Sequence, residues 1–513
     1  MKIFKARLHA FKVALLLLAF PLAGHAITTD SGKTFFTPPP LGMLLEPVYG
    51  QFRDFAARNE PADRFTLTAA PFCIESTNPK NLRRTFMPEG KDELVIKGGN
   101  AVGDFDVSAT WLKIAGTSAL GAEHALMHNN FSSRLTMQPS YSMYGAAFGL
   151  HKKIGCVFIQ ATMPIAEVQT SLGLREFIEG GNVASIDDVE LYEPTVAGNM
   201  QENPNILYST NATEALGQDL FKFNKLSSSP LKASGIGDVA LRVGLAGEFG
   251  ELFVCGVLPT SKRSTNAYAF EPLLGNGSHL GLGAGAALQL GKHLEALDAQ
   301  LSLRGELDYT YLFENNQVRT FDLSDKGPLS RYLQFKSYDT VNVAAYLPAY
   351  AGVNILSKKC AVSPEGSVHL GLQAGIQKGK ILCKLRYQFA HQQQENIRVK
   401  EGFDKVYAIG HTSAADAAQD ANLIYPTATI GTHGDSQAHL AVAFTGPLSI
   451  EHLDLASATR PASSMSSGVV SVGFEDSWYG APSSVGLFSG VNFDHAPGQV
   501  CSWVMGLQST LNF

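Results

Sequence analysis

The sequence has little charge and, beyond its first residues, no long apolar run. Charged residues make up 17% of the 513 residues, below the roughly 25% of a typical soluble domain. The formal net charge is −6 and no block of Lys and Arg occurs, so the basic footprint of a nucleic-acid-binding protein is missing. After the N-terminus, no stretch approaches the roughly 18 consecutive apolar residues of a transmembrane helix. If the chain crosses a membrane, we therefore expect a closed β-barrel.

The usual signatures of metal and enzyme sites are also missing. The 6 cysteines form no CxxC motif and no zinc-type spacing. His124 and His128, beside Glu123, have the i, i+4 spacing of two ligands on a helix, but no third ligand stands nearby. No Gly-x-Ser-x-Gly nucleophile motif occurs. We therefore expect no metal, no cofactor and no enzyme activity.

The first residues have the layout of a cleavable signal peptide. Lys and Arg residues precede the apolar run 13–20, which is followed by Pro21 and the small-residue site 24–26. The run is too short for a membrane anchor. We expect residues 1–26 to be a signal peptide that is cleaved after Ala26 on export.

Alternation of apolar and polar residues is the dominant pattern of the remaining chain, in which glycine is frequent, with 49 residues in all. In 297–313, apolar side chains occupy every second position, while Arg304, Glu306 and Asp308 stand between them. A strand places such alternate residues on opposite faces, one apolar and one charged. At about 3.3 Å per residue, this segment is longer than a usual globular strand and suits a tilted membrane crossing.

The same period predicts an all-β, antiparallel transmembrane barrel over 63–513, with about sixteen strands and fourteen as the alternative. The preceding segment 27–62 contains three consecutive prolines and is expected to be a periplasmic extension or a lumen plug. The predicted strands are 63–74, 103–114, 131–138, 141–150, 156–169, 236–247, 251–260, 279–290, 296–313, 366–377, 381–390, 437–446, 448–456, 468–476, 484–494 and 500–513.

The connections between these strands differ in length. Long connections near 170–235, 314–365 and 391–436 fall on one side, and short glycine-bearing turns fall on the other. This arrangement predicts long extracellular loops and periplasmic termini. The strand-like segment 341–350 contains Pro348, which argues against a central strand. We place this segment within the 314–365 loop, where it would constrict the lumen.

The C-terminal residues form an amphipathic strand that ends in an aromatic residue. Leu507, Leu511 and Phe513 lie on its apolar face. A final strand of this type resembles the closing strand of Gram-negative outer-membrane barrels, where it also acts as the assembly signal. The resemblance implies outer-membrane lipid and the barrel-assembly machinery as partners, and an outer-membrane location.

Two short motifs strengthen this resemblance. The sequence Gly-Ile-Gly-Asp-Val at 235–239 and the sequence Leu-Pro-Thr at 258–260 resemble the Gly-Leu-Gly-Asp and Pro-Thr-Gly pattern of the phenol-degradation-associated outer-membrane proteins. Ser261 stands where that family usually has glycine. The resemblance implies an outer-membrane, channel-like barrel that passes small or hydrophobic molecules.

Strand parity assigns charged residues of both signs to the lumen. They either line a water-filled pore or cross-link neighbouring strands. Because both signs occur, we expect no strong ion selectivity. The lumen-lining candidates are Arg242, Arg304, Glu306, Asp308, Lys384 and Arg386.

Three functions fit these features. The first is an outer-membrane pore for diffusion or selective uptake of small-molecule solutes, alone or as a homo-oligomer. The second is a surface protein whose barrel anchors partner-binding loops. The third is a plugged transporter of hydrophobic compounds, in which residues 27–62 would form the plug.

Overall fold

The computed structural model describes most of the predicted barrel and one short segment before it. The described residues are 41–52, 65–87, 91–97, 107–108, 132–180, 193–194, 200–201, 211–324, 328–332, 334–337, 349–409, 448–478, 481–494 and 500–512. The predicted signal peptide, the histidines 124 and 128 and residue 513 lie outside this part of the chain.

Within the described residues, twelve long strands form one closed antiparallel barrel. Each strand pairs with its neighbours in the chain, and the first pairs with the last, which closes the ring. The strands are β1 Phe65–Ser76, β2 Ser140–Ile154, β3 Val157–Ser171, β4 Val239–Ala246, β5 Gly250–Leu258, β6 Gly281–Leu294, β7 Ala299–Leu312, β8 Glu365–Lys378, β9 Ile381–Gln392, β10 Ser463–Trp478, β11 Ala481–Asp494 and β12 Ser502–Asn512. A further strand, Leu231–Ile236, pairs with β3 beyond the end of β4.

The alternation in the sequence separates an apolar outer face from a mixed inner face. On β12, Val504 is buried inside, whereas Met505 and Leu507 are about half exposed outside, at 51% and 48%. On β7, the charged residues of the 297–313 pattern are buried and Tyr309 is exposed. An apolar outer face lets strands contact lipid, and ring closure leaves no unpaired edge. None of the helices among the described residues has the length and hydropathy of a membrane span.

The connections divide between the two ends of the barrel. At one end, here called the turn end, short turns join β2 to β3, β4 to β5, β6 to β7, β8 to β9 and β10 to β11. Gly155 and Gly379 have φ values of 59° and 56° in two of these turns, a conformation that favours glycine. All the longer connections lie at the opposite end, here called the loop end.

The described parts of two long connections, 313–364 and 393–462, pack together as a loop-end cap. Its apolar core includes Phe321, Phe335 and Leu453. Other buried residues of the cap are charged and paired. Arg331 donates to Asp322, with 2.7 Å between Nη2 and Oδ2, and Arg319 and Arg460 flank Glu395. Burial opposes ionisation of Glu395, but the two guanidinium groups outweigh it and lower its pKa.

The remaining elements are short. Helices are α1 Leu41–Leu44, α2 Glu46–Tyr49, α3 Pro79–Arg83, α4 Ala212–Gly217 and α5 Gly352–Ile355, with 3₁₀ turns at Gly50–Phe52, Glu295–Leu297, Ser330–Tyr332, Ile450–His452 and Leu455–Ala458. Small sheets outside the barrel are formed by Glu93–Lys97 with Val107–Ser108, Ser132–Thr136 and Arg175–Gly180, by Asn315–Thr320 with Ser357–Ser363 and Asn396–Val399, by Gln334–Ser337 with Ala349–Ala351 and Tyr407–Ile409, by Asp322–Leu323 with Leu453–Asp454, and by Glu193–Pro194 with Met200–Gln201.

The closed barrel confirms the predicted fold class, but the predicted strand numbers of sixteen and fourteen are wrong. Residues 132–136 do form a strand, but it pairs in a small sheet outside the barrel. In 103–114, only Val107–Ser108 is described, and it belongs to the same small sheet. The predicted strand 448–456 is mainly two 3₁₀ turns in the loop-end cap. The predicted strand 437–446 lies outside the described residues, as does most of the predicted constriction 341–350.

Candidate functional site: a filled lumen

A segment before the first strand lies inside the barrel. Residues 41–52, here called the plug segment, comprise α1, α2 and the 3₁₀ turn Gly50–Phe52. Leu45 and Val48 are fully buried and Phe52 is 1% exposed. Two four-residue helices have no core of their own, so this burial comes from the surrounding wall.

Hydrogen bonds from opposite sides of the barrel hold the plug segment across the lumen. Gln160 on β3 donates to the carbonyl of Phe52 at 2.8 Å. Gln388 on β9 donates to the carbonyl of Glu46 at 3.0 Å. Because β3 and β9 are six strands apart in a ring of twelve, these two contacts span the barrel. Gln508 on β12 adds a third bond, to the carbonyl of Gln51.

The plug segment packs its apolar side chains on one half of the wall. Leu44, Leu45, Val48 and Phe52 share a core with inward residues of β1, β2, β3, β11 and β12, such as Phe72, Met143 and Val504. Gly149 on β2 makes room for Phe52, since a Cβ at that position would overlap the phenyl ring. Exclusion of these apolar side chains from water therefore stabilises the plug segment in its position inside the lumen.

The opposite half of the wall carries a ladder of buried ion pairs. Arg304 on β7 donates to both carboxylate oxygens of Glu251 on β5, at 3.1 and 2.9 Å, and approaches Glu306 at 3.3 Å. Arg242 on β4 binds Glu306 at 2.7 Å and Asp308 at 3.3 Å. Such pairs cross-link strands that are not adjacent. Removing one partner would leave a buried charge uncompensated, which is costly.

One histidine connects this ladder to the plug segment. His369 on β8 is 6% exposed, and its Nδ1 lies 3.1 Å from Oδ2 of Asp308. Its Nε2 lies 3.1 Å from Oε2 of Glu46 in the plug segment. Both ring nitrogens therefore face a carboxylate oxygen, one on the wall and one on the plug.

A cavity of about 180 Å³ lies between the plug segment and the charged half of the wall. Its apolar lining includes Tyr49, Ala240 and Leu312, and the polar lining includes Arg242 and His369. An engineered cavity of ~150 Å³ in another protein accommodates benzene. The space therefore suits a molecule of about that size, with an apolar body and a polar group.

The two sequence motifs meet at the loop-end rim of this cavity. Asp238 lines the cavity and accepts hydrogen bonds from the backbone N–H groups of Ser261 at 3.1 Å and Asn276 at 2.7 Å. Thr260 donates to the carbonyl of Gly237 at 2.6 Å. The Gly-Asp and Pro-Thr sequences thus fasten the ends of β4 and β5 to the following connection. Because it is the backbone of Ser261 that binds Asp238, serine can replace the family's usual glycine in this bond.

The structure places the six lumen-lining candidates as follows. Arg242, Arg304, Glu306 and Asp308 form the ion-pair ladder. Arg386 on β9 lies beside Gly50 of the plug segment and donates to Gln373. Lys384, on the same face of β9 as Arg386, lines a separate small pocket with Glu475. Of the predicted assembly signal, Leu507 is on the outer face, Leu511 shares its parity on β12, and Phe513 lies outside the described residues.

The described residues contain one group whose geometry is compatible with a metal, namely Glu306, Asp308 and His369. Both carboxylates already bind the guanidinium of Arg242, a cation that opposes binding of a second cation there. The six cysteines are all free. We therefore assign the cluster to the ion-pair ladder.

Sequence reasoning missed Glu46, His369 and the glutamines that hold the plug segment. His369 stands at an inward position of a predicted strand, so parity alone could have found it. Glu46 was visible only as part of a proline-containing stretch. Its contact with His369 joins residues more than 300 positions apart, which no local pattern reveals.

Comparisons with known proteins find only distant similarity, and it is to solved structures. No protein-family model matches the chain, and neither does a curated protein. The COG4313 outer membrane channel from Pseudomonas putida F1 is similar at 8% identity, with 89% of this chain and 98% of that chain covered and a TM-score of 0.35. A Pseudomonas aeruginosa FadL homologue has 8% identity, 89% and 92% coverage and a TM-score of 0.26. The Ralstonia pickettii toluene transporter TbuX has 8% identity, 94% and 95% coverage and a TM-score of 0.25.

The pairing of the strands defines the class of protein independently of these comparisons. A closed antiparallel barrel with an apolar outer face is the architecture of outer-membrane proteins. The expectation of an outer-membrane, channel-like barrel is therefore confirmed at the level of architecture.

Proposed function

We propose that the protein is an outer-membrane channel whose lumen is closed by the plug segment and which passes small molecules through the cavity beside it. The observation that carries this proposal is the plug segment itself, held by Gln160 and Gln388 from opposite sides of the lumen. Of the functions considered from the sequence, a plugged transporter fits this arrangement better than a permanently open pore. The loop end would face the exterior.

The cavity defines the class of molecule. A solute the size of a monocyclic aromatic compound fits ~180 Å³. Its apolar body would contact Tyr49, Ala240 and Leu312, while a hydroxyl or similar group would face the charged half of the wall. Large hydrophilic solutes such as oligosaccharides would require complete removal of the plug segment.

Ligand binding by the full chain in detergent tests the proposal. The ¹⁹F NMR signal of 4-fluorophenol is titrated with the wild type, with Ala240→Trp, which fills the cavity, and with Leu245→Trp, a control on the outer face of the same strand. Fluorodeoxyglucose serves as a hydrophilic probe. We expect saturable binding of 4-fluorophenol by the wild type and by Leu245→Trp, loss of binding in Ala240→Trp, and no binding of the sugar. Equal binding by all three proteins, or none by the wild type, would contradict the proposal.

A further inference from the structure

The contact between the plug and the wall depends on the charge of one imidazole. Nδ1 of His369 faces Asp308 and Nε2 faces Glu46, each at 3.1 Å. A neutral imidazole carries one N–H and can donate to only one of these carboxylates, whereas an imidazolium donates to both. The bridge between plug and wall is therefore complete only when the ring is protonated.

Neighbouring charges make the two carboxylates unequal. Asp308 also binds Arg242, which remains positively charged at all physiological pH values. Glu46 belongs to the plug segment and not to the wall. His369 connects it to the ion-pair ladder. A neutral imidazole therefore weakens the ion pair that holds the plug segment, while the wall pair of Asp308 and Arg242 stays in place.

The other charged groups around His369 lie on strands of the barrel wall. Glu306 and Arg304 on β7 and Arg386 on β9 lie around the same small pocket as the imidazole. Arg304 is held by Glu251 and Glu306, and Arg386 by Gln373. These pairs lie within the barrel wall, whereas the contact with Glu46 crosses from the wall to the plug segment.

We propose that His369 is a pH-sensitive latch for the plug segment, which holds the plug when the imidazole is charged and releases it when the imidazole is neutral. The inference rests on the proposed function, since it assigns a regulation to the same closed lumen. The direction follows from the charges. A charged imidazole attracts both carboxylates, whereas a neutral imidazole does not. The plug segment is therefore held less strongly when the ring is neutral.

Planar-bilayer conductance of the full chain between about pH 5 and pH 8 tests the latch, since this is the range in which histidine usually titrates. We expect the mean conductance of the wild type to rise by about tenfold with pH, as a charge-assisted bond is lost. His369→Gln should conduct at the high-pH level throughout. His369→Lys, which stays charged, should remain closed throughout. His293→Gln is the control, because His293 is an exposed histidine at the turn end, near Asp298, and does not line the cavity.

The possible outcomes separate the latch from the proposed function. If deleting residues 41–52 opens the channel but wild-type conductance does not change with pH, the latch is wrong and the plug remains. The same conclusion follows if His369→Gln and His293→Gln show the same pH profile. If the deletion, with its barrel fold verified by circular dichroism, does not open the channel, the proposed function itself is wrong.

Discussion

Replacement of Phe52 by alanine should unseat the plug segment without unfolding the barrel. The side chain is 1% exposed and occupies the space above Gly149. Truncation of a fully buried phenylalanine commonly costs about 3 to 5 kcal/mol. The plug segment has few backbone hydrogen bonds of its own. We therefore expect most of this loss to shift the equilibrium between the plug segment inside the lumen and the released segment, and little of it to change the stability of the barrel. Taking ~3 kcal/mol, the unseated population should rise about 100-fold, since 1.4 kcal/mol corresponds to a factor of ten.

Hydrogen–deuterium exchange of the peptide that covers residues 41–52 measures this population directly, because exchange from a buried segment requires local opening. The variant should exchange about 100-fold faster than the wild type in this peptide, while the barrel strands keep their protection. Phe148→Ala is the matched control, since Phe148 lies on the outer face of the same strand as Gly149 and is 38% exposed. Unchanged exchange in Phe52→Ala, or equal acceleration in Phe148→Ala, would refute the placement of the plug.

Three further predictions concern the wall. Arg304→Met should destabilise the barrel by about 3 to 5 kcal/mol, because Glu251 is left buried without the guanidinium that neutralises it. The midpoint of urea unfolding measures this loss, and an unchanged midpoint would contradict the ion-pair ladder. Gly285→Leu should lower the same midpoint, because even a Cβ at this position would collide with the ring of Phe253; tolerance of leucine there would show that the wall is packed differently. Leu507→Arg should cost up to about 2 to 4 kcal/mol if Leu507 faces the middle of a bilayer; a folding equilibrium measured in lipid vesicles that does not change would place it elsewhere.

All twelve barrel strands were predictable from the sequence because each of them needs apolar side chains at every second position, on the face that meets lipid. The segments 131–138 and 448–456 were predicted as barrel strands because short strands and buried cap segments also alternate. Residues 132–136 form a strand in a small sheet, and Leu453 is buried in the loop-end cap. A hydrophobic period of two identifies a half-buried segment, but it does not identify the sheet or core that buries this segment.

The direction of successive strands could not reveal this error. Two consecutive pairs of predicted strands, 103–114 with 131–138 and 437–446 with 448–456, are not among the twelve described barrel strands. Removing two consecutive strands leaves the direction of every other strand unchanged, so long loops fall on one side for twelve, fourteen or sixteen strands. Strand number is set by ring closure, and the pairing of β1 with β12 joins residues at opposite ends of the barrel sequence.

The candidate site was predictable only in part. Parity placed Arg304, Glu306 and Asp308 on one face, and these residues are paired there. The pairing of Arg242 with residues three strands away depends on barrel curvature, and the contact of Glu46 with His369 depends on a segment folding into the lumen. Neither relation leaves a local pattern in the sequence.

The central claim, that residues 41–52 close the lumen, is tested most directly by single-channel conductance. The full chain and a variant lacking these residues are compared in planar bilayers at a pH of about 5 to 6, where imidazoles are commonly protonated, after both have been verified as folded barrels. We expect the full chain to be closed and the deletion variant to give stable, reproducible conductance steps. Equal conductance of the two proteins, whether both open or both closed, would contradict the account.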